Sequence, residues 1–221
     1  LPNVSTGGWY QIVCALPVSL YGISNTFAYS VSMLRMVDYP LSYADLDVGA
    51  IYSGKSLSGN VDVGADLDAA FFSVTNPCTV QIRMGQEEVN LVPKLQLYGP
   101  QGQLIIADDP HDYRSEITKY ITATGIYTIV VNDNFNAIGP YSICMARIPG
   151  EMDTGDLDIG PIVSGDTLEG TIDAPGDIDI ATFTALSGDV IQLSMREKDE
   201  ANSAINPRVE LYSPSGAFIT N

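Results

Sequence analysis

The sequence predicts an all-β fold made of tandem antiparallel β-sandwich (jelly-roll or Greek-key) modules, with a repeat of about 111 residues and partial modules at both ends. Three observations support this prediction: short runs in which apolar and polar residues alternate, turn sequences such as GPQG and SPSG between these runs, and a long passage that occurs twice. Long stretches of Ala, Leu, Glu and Lys are missing, which disfavours helices.

The repeated passage is DLDVGAIYSGKSLSGNVDVGADLDAAFF at 45–72 and DLDIGPIVSGDTLEGTIDAPGDIDIATF at 156–183, 111 positions later. Of its 28 positions, 14 are identical, which excludes chance similarity. Further on, LYGPQG at 97–102 recurs as LYSPSG at 211–216, with an offset of 114. The front part of one module is therefore present twice.

The back part of the module also occurs twice. GGWYQIV at 7–13 resembles TGIYTIV at 124–130, and YSVSMLRM at 29–36 resembles YSICMARI at 141–148. The offsets are 117 and 112, so the loop between the two segments is longer in the earlier copy.

These matches divide the chain into four parts. Residues 1–44 are the back part of one module with its linker, 45–148 a complete module, 149–155 an acidic linker, and 156–221 the front part of a further module. The two partial modules together amount to one module that lacks a single polar loop.

The complete module is predicted to contain about eight short strands. In TVQIRM the apolar Val80, Ile82 and Met84 share one face, and Leu95 and Leu97 do the same in KLQLY. Further strands are predicted at LSGNV, AAFFSV, LIIA, EITKYI, GIYTIVV and YSICMAR. Each strand is expected to bury one face and to leave the other in water.

A partial module has an apolar face and open strand edges, so we expect it to need a partner. The candidate assembly residues lie on these faces: Trp9, Tyr10, Ile12, Tyr29, Val31, Ile191, Leu193, Val209 and Leu211. For Trp9 and Tyr10, packing in a core or between domains is favoured over stacking on a sugar.

The net charge of −17, from 27 acidic and 10 basic residues, disfavours binding to nucleic acid or to anionic membranes. Apolar runs stay well short of the ~20 residues of a transmembrane helix, so membrane insertion is not expected. The acidic surface indicates either solubility in a crowded or salty exterior or binding of cations.

The order of motifs resembles a known family. GTI…GDID…F, then V-E-LYSPSG, then TGIYTIVV…GPYSICM is similar to the bacterial pre-peptidase C-terminal domain. This β-sandwich module occurs in secreted bacterial and archaeal proteins, often behind peptidases. The resemblance covers the whole chain as partial, whole and partial copies, and it implies an extracellular or cell-surface location.

Relatives in that family include collagen-binding domains that hold calcium between an acidic linker and a GDxD turn. The resemblance therefore implies Glu151 and Asp153 of the linker, with Asp177 and Asp179 of the turn, as a candidate calcium site; no other cofactor is expected. The alternative is that the turn aspartates accept backbone N–H bonds.

The complete module keeps the turn aspartates but not the acidic linker. It has Asp66 and Asp68 in the turn, whereas Pro40 and Ser42 stand where the linker acids are expected. Calcium is therefore not expected in the complete module.

The sequence gives no sign of catalysis. The single histidine, His111, lies near Ser115 in a polar loop that offers no strained nucleophile turn and no oxyanion hole. The cysteines, Cys14, Cys78 and Cys144, have unrelated spacings, which favours small buried thiols over one bridge and a free thiol.

These observations favour a non-enzymatic, secreted or surface structural protein whose copies assemble head to tail into a filament or array by completing each other's partial modules. Two alternatives stay open. The chain is an accessory binding or spacer fragment of a secreted hydrolase such as a peptidase, or its two partial modules close on each other within one chain.

Overall fold

The computed structural model describes residues 9–12, 14, 28–34, 47–88, 91–108, 113–150, 160–198 and 207–221. The regular structure of these residues is entirely β, as the sequence predicts. In the described part of the chain, no helix is long and apolar enough to cross a membrane.

The strands are short and rich in β-branched and aromatic residues, which fit a pleated, half-buried surface. They are β1 Lys55–Val61, β2 Asp68–Val74, β3 Cys78–Gln86, β4 Pro93–Tyr98, β5 Leu104–Ala107, β6 Arg114–Ile121, β7 Gly125–Asp133, β8 Gly139–Ile148, β9 Leu211–Tyr212 and β10 Phe218–Thr220.

The first eight strands form two four-stranded sheets with the orders β1-β8-β3-β6 and β2-β7-β4-β5. Every pairing in both sheets is antiparallel. This interleaved order is that of an eight-stranded jelly roll, in which consecutive strands alternate between the sheets except at the β4–β5 hairpin. The predicted antiparallel β-sandwich is therefore confirmed.

The core lies between the two sheets and is built from the inward positions of every strand. Val80, Ile82 and Met84 of β3 are buried, and so are Leu95 and Leu97 of β4, as their alternation predicts. The other fully buried side chains of large volume are Ile51, Leu91, Ile117, Tyr127, Ile129, Tyr141, Ile143 and Met145.

The prediction of a wet outer face is wrong for β3. Thr79 and Gln81 point away from the core but are buried, because residues of the C-terminal segment 207–221 cover them. The Thr79 hydroxyl donates a hydrogen bond to the carbonyl of Gly216 at 2.5 Å. The Gln81 amide donates one to the Glu210 carboxylate at 3.1 Å.

The outer face of β8 is covered in the same way by the turn around Pro175. Ile178 packs on Cys144 and Ala146, and the Ser142 hydroxyl donates to the carbonyl of Pro175. Because the outward residues of β8 are small, part of the second passage packs closely against the complete module.

Candidate functional site

The described part of the second passage repeats the local folding of the first. The isolated bridge Ala50–Phe71 recurs 111 positions later as Pro161–Thr182. Its backbone bonds recur with it: the N–H of Ile51 donates to the carbonyl of Phe71 at 3.0 Å, and that of Ile162 donates to Thr182 at 2.8 Å. Equal sequence therefore adopts equal local structure in both copies.

The C-terminal hairpin repeats its counterpart too. In the complete module, Tyr98 pairs with Leu104 in the β4–β5 ladder, next to an irregularity between Leu97 and Tyr98. In the β10–β9 pair, Phe218 faces Tyr212, again next to an irregularity. The offset of 114 is the one at which LYGPQG recurs as LYSPSG.

What differs is the burial of the inward side chains. Ile82 of β3 is fully buried, whereas Leu193, which occupies the same position in the second passage, is 42% exposed. In the described residues of 160–198, the backbone forms the isolated bridge but no strand ladder. The segments are folded locally but lack the neighbours that would bury them.

The N-terminal segments show the same contrast more strongly. Tyr141 of β8 is completely buried, whereas its counterpart Tyr29 is 72% exposed. Tyr127 of β7 is buried and its counterpart Tyr10 is exposed. Apolar residues that belong inside a sandwich thus face the solvent in this chain.

The nine candidate assembly residues are therefore all described, and eight of them are exposed. Those eight are Trp9, Tyr10, Ile12, Tyr29, Val31, Ile191, Leu193 and Val209, whereas Leu211 in β9 is half-buried. In the described residues, the structure does not bring the N-terminal set onto the C-terminal set, since both are open to solvent.

Trp9 differs from the other candidates in the face of the sheet on which its side chain is expected to lie. Its counterpart in β7 is Ile126, which lies on the outer face of the sheet and is half-exposed, whereas Tyr127 points inward. By this template Tyr10 and Ile12 belong to the core side of a completed module, and Trp9 to its outside.

The first aspartate of the GDxD-type turn, Asp66 in one copy and Asp177 in the other, has the same role in both copies. Asp66 accepts the backbone N–H of Asp62 at 2.8 Å and that of Leu67 at 3.0 Å. Asp177 accepts the N–H of Asp173 at 3.2 Å and that of Ile178 at 2.8 Å. Both carboxylates therefore organise a tight turn, as one reading of the sequence predicts.

The predicted calcium site is only partly described. Both oxygens of Asp177 already accept hydrogen bonds, one of them a further bond from the Ser56 hydroxyl at 2.9 Å. The described residues do not gather three acidic, histidine or cysteine side chains at any point. Glu151 and Asp153 lie outside them, so calcium at the linker stays a prediction, and calorimetric titration of the chain against the variant Glu151→Gln tests it.

Candidate catalytic groups are not assembled in the described part of the chain. His111 lies outside it, and Ser115 is buried in a structural network. The Ser115 hydroxyl donates to Asp108 at 2.8 Å and accepts the backbone N–H of Leu95 at 3.2 Å.

The cysteines form no disulfide. Cys78 and Cys144 are buried, whereas Cys14 is exposed. Burial raises the pKa of the Cys78 thiol, and the positive charge of Arg147 lowers it by a smaller amount. The net rise keeps the thiol protonated and unreactive.

The sequence pattern missed the covered outer face of β3 and β8. The signal that was present is a set of small residues at outward positions, Gly85, Ser142, Cys144 and Ala146. A Cβ at Gly85 would lie 2.5 Å from the Cβ of Pro175, so only glycine permits this approach of the turn.

The fold and the open strands define a β-sandwich protein of the jelly-roll type. Solved structures similar to it include the pre-peptidase C-terminal domain of a collagenase from Bacillus anthracis, with a TM-score of 0.40 and 16% identity over 44% of this chain and 93% of that domain. The family whose motifs the sequence resembles is thus among the similar structures.

Two periplasmic inhibitors of g-type lysozyme are also similar. The inhibitor from Aeromonas hydrophila has a TM-score of 0.37 and 15% identity over 46% of this chain and 97% of its own. That from Salmonella Typhimurium has a TM-score of 0.35 and 16% identity over 46% and 98%. These values are too low for what those proteins bind or inhibit to be carried over to this chain.

No protein-family model matches the chain, and no curated protein matches it by sequence.

Proposed function

We propose that this chain is a non-enzymatic, secreted or surface-displayed structural protein whose copies join head to tail. The N-terminal partial module of one copy completes the C-terminal partial module of the next, and the repetition of this junction builds a filament or array. The observation that carries the proposal is the contrast between Tyr141, which is buried, and Tyr29, which is exposed at the matching position.

The exposed set is sufficient in energy to drive association. Burying one large apolar side chain stabilises a protein by about 1.5–3 kcal/mol. Association costs about 4–15 kcal/mol in translational and rotational freedom. The seven exposed candidates other than Trp9 therefore offset that cost when they become buried together.

The mode of joining follows from the strands. The described residues of 160–198 present apolar side chains but form no strand ladder, and strand addition would supply a ladder and cover those side chains at once. A junction between two different surfaces of the chain is not two-fold symmetric, and it produces an open line of subunits when its rotation does not close into a ring.

The extracellular location is part of the proposal. A net charge of −17 keeps a surface soluble and self-repelling outside the junctions, and the resemblance to a family of secreted modules points the same way.

Electron microscopy and light scattering of the purified chain near neutral pH test this proposal. Filaments whose mass grows with concentration are the expected result. A discrete particle near the chain mass of 23.7 kDa would contradict it and would favour an accessory or spacer module of a larger secreted protein.

A further inference from the structure

We infer that the two N-terminal segments of one copy enter the two sheets of the next copy's C-terminal module as the equivalents of β7 and β8, in the register of the complete module, with Tyr29 donating a hydrogen bond to Asp179. This inference rests on the proposed head-to-tail assembly and specifies its geometry.

Applied to the open module, the sheet orders of the complete module leave one interior position open in each sheet, and the edge strand β6 has no complete counterpart in either partial module. In the complete module, β8 lies between β1 and β3, and β7 lies between β2 and β4. The second passage and the segment after it supply counterparts of β1 to β5, whereas counterparts of β7 and β8 occur in 7–13 and 29–36. Each gap is one strand wide, about 10 Å between its flanking strands.

The register of the complete module predicts the contacts of the β8-like segment. Ile143 of β8 faces Leu57 of β1 on one side and Met84 of β3 on the other. The residues at the three matching positions are Val31, Leu168 and Met195, and all three are exposed in this chain. Val31 is therefore expected to sit between Leu168 and Met195 of the next copy.

The two residues that form a buried hydrogen bond in the complete module recur at the matching positions of the partial modules. The Tyr141 hydroxyl of β8 donates to the Asp68 carboxylate of β2 at 2.5 Å and so joins the two sheets across the core. The matching residues are Tyr29 and Asp179. They lie in different partial modules, so this bond forms only when the modules meet.

The glycine that lies beside this bond in the complete module also recurs in the second passage. Gly59 of β1 faces Tyr141, and a Cβ at Gly59 would overlap the tyrosine ring. The matching position in the second passage is again glycine, Gly170. The sequence thus keeps, in two separate segments, the tyrosine and the two residues that contact it.

The β7-like segment has its own aromatic pair. The rings of Phe72 and Tyr127 stack in the complete module, with centroids 5.5 Å apart and an interplanar angle of 15°. The matching residues are Phe183 and Tyr10, again phenylalanine and tyrosine. Both sheets therefore carry matched side chains that are split between the two ends of the chain.

Paired cysteines test the register directly. Arg83 faces Cys144 across β3 and β8, and the matching residues are Ser194 and Ser32. In a Cys14→Ser background, Ser32→Cys with Ser194→Cys is expected to give a disulfide-linked ladder of multimers under mild oxidation. The matched control, Ser32→Cys with Val190→Cys, places the second thiol four residues away on the same face.

The outcomes separate the register from the assembly. A ladder with the matched pair at least tenfold stronger than with the control supports both. Assembly by light scattering with equal or no cross-linking of the two pairs overturns the register and leaves head-to-tail joining intact. A bridge confined to single chains supports the register and overturns joining between copies.

The hydrogen bond has its own variant. Tyr29→Phe is expected to raise the concentration needed for assembly by roughly tenfold or more, because the Asp179 carboxylate loses a donor on burial. Tyr141→Phe is expected to lower the stability of the complete module instead. Assembly of Tyr29→Phe at the unchanged concentration would overturn the assigned bond.

Discussion

The complete and partial modules share the same sequence motifs, yet they differ in what surrounds them. Ile82 and Leu193 occupy the same position of the same motif, but only Ile82 has strands on both sides. The turns are equal in the two regions, since Asp66 and Asp177 bind matching backbone groups. Local sequence therefore determines the turns and the extended segments, whereas burial depends on the strands that are supplied from elsewhere.

The largest expected effect compares these two positions. Ile82→Ala is expected to destabilise the complete module by about 2–5 kcal/mol, because it opens a cavity in a close-packed core. Leu193→Ala is expected to change the free energy of unfolding of dispersed chain by less than about 0.5 kcal/mol, since its site is open. Urea unfolding followed by circular dichroism at low concentration measures both.

The comparison would fail if Leu193→Ala cost as much as Ile82→Ala in dispersed chain. That result would mean that the partial module is already packed within one chain. Loss of assembly by Leu193→Ala without loss of stability would show that Leu193 is buried only between copies.

A smaller effect is expected where the two modules touch. Gly85→Ala places a Cβ against Pro175 and is expected to cost about 1–3 kcal/mol, by lifting the turn from the sheet. Cys144, which lies under Ile178, should then react faster with a thiol reagent. Gly49→Ala is the control, because a Cβ there meets no atom within 4 Å.

Unchanged protection of Cys144 in Gly85→Ala would show that the turn tolerates the methyl group. The contact between the modules would then be looser than the buried outer face indicates.

Cysteine accessibility reports the state of the partial module. In dispersed chain, Cys14 is expected to react rapidly with a thiol reagent, and the buried Cys78 and Cys144 slowly. The position of Cys14 matches Val131 of β7, which is buried. Assembled material should therefore protect Cys14 at least tenfold, as measured by mass spectrometry of labelled peptides.

Full labelling of Cys14 in assembled material would show that the β7-like segment stays outside the junction. It would leave the complete module unaffected.

The smallest expected effect is a loss of stability at alkaline pH. Burial raises the pKa of Tyr127 and Tyr98 above the ordinary 10.0. Burial, with a hydrogen bond to Glu210, raises the pKa of Tyr212 to about 12. Between pH 10 and pH 12 the folded chain keeps these protons while the unfolded chain releases them. The free energy of unfolding is therefore unaffected by these groups below pH 10 and falls as the pH rises towards 12.

Thermal unfolding between pH 9 and pH 11 checks this effect. Tyr127→Phe is expected to flatten the pH dependence, whereas Tyr120→Phe, at an exposed site, should leave it unchanged. Equal slopes for the two variants would assign the loss to other groups.

Much of the fold follows from the sequence, because alternation and turn residues act locally. The faces of β3 and β4 were predictable from Val80, Ile82, Leu95 and Leu97, since period-two patterns leave one choice of inward side. The open state of Tyr29 and Leu193 was predictable because their counterparts belong to a repeated unit.

The covered outer face was not predictable in the same way. Thr79, Gln81 and Ser142 are polar, and polar residues at alternate positions ordinarily face water. Their burial depends on segments that lie elsewhere in the sequence. Glu210, which accepts the hydrogen bond of Gln81, is more than 100 residues away from it. Only the smallness of Gly85 and Cys144 hinted at a neighbour.

The jelly-roll order also determines how a single segment of chain reaches both sheets. Because β7 and β8 follow one another in sequence yet lie in opposite sheets, a single continuous piece of chain closes both layers of the sandwich. In the proposed assembly, the N-terminal segments of one copy fill the open module of the next, so growth would be linear and polar. If copies join as proposed, a peptide that spans 7–36 carries the inserting segments without the open module, so small amounts of it are expected to shorten the assemblies.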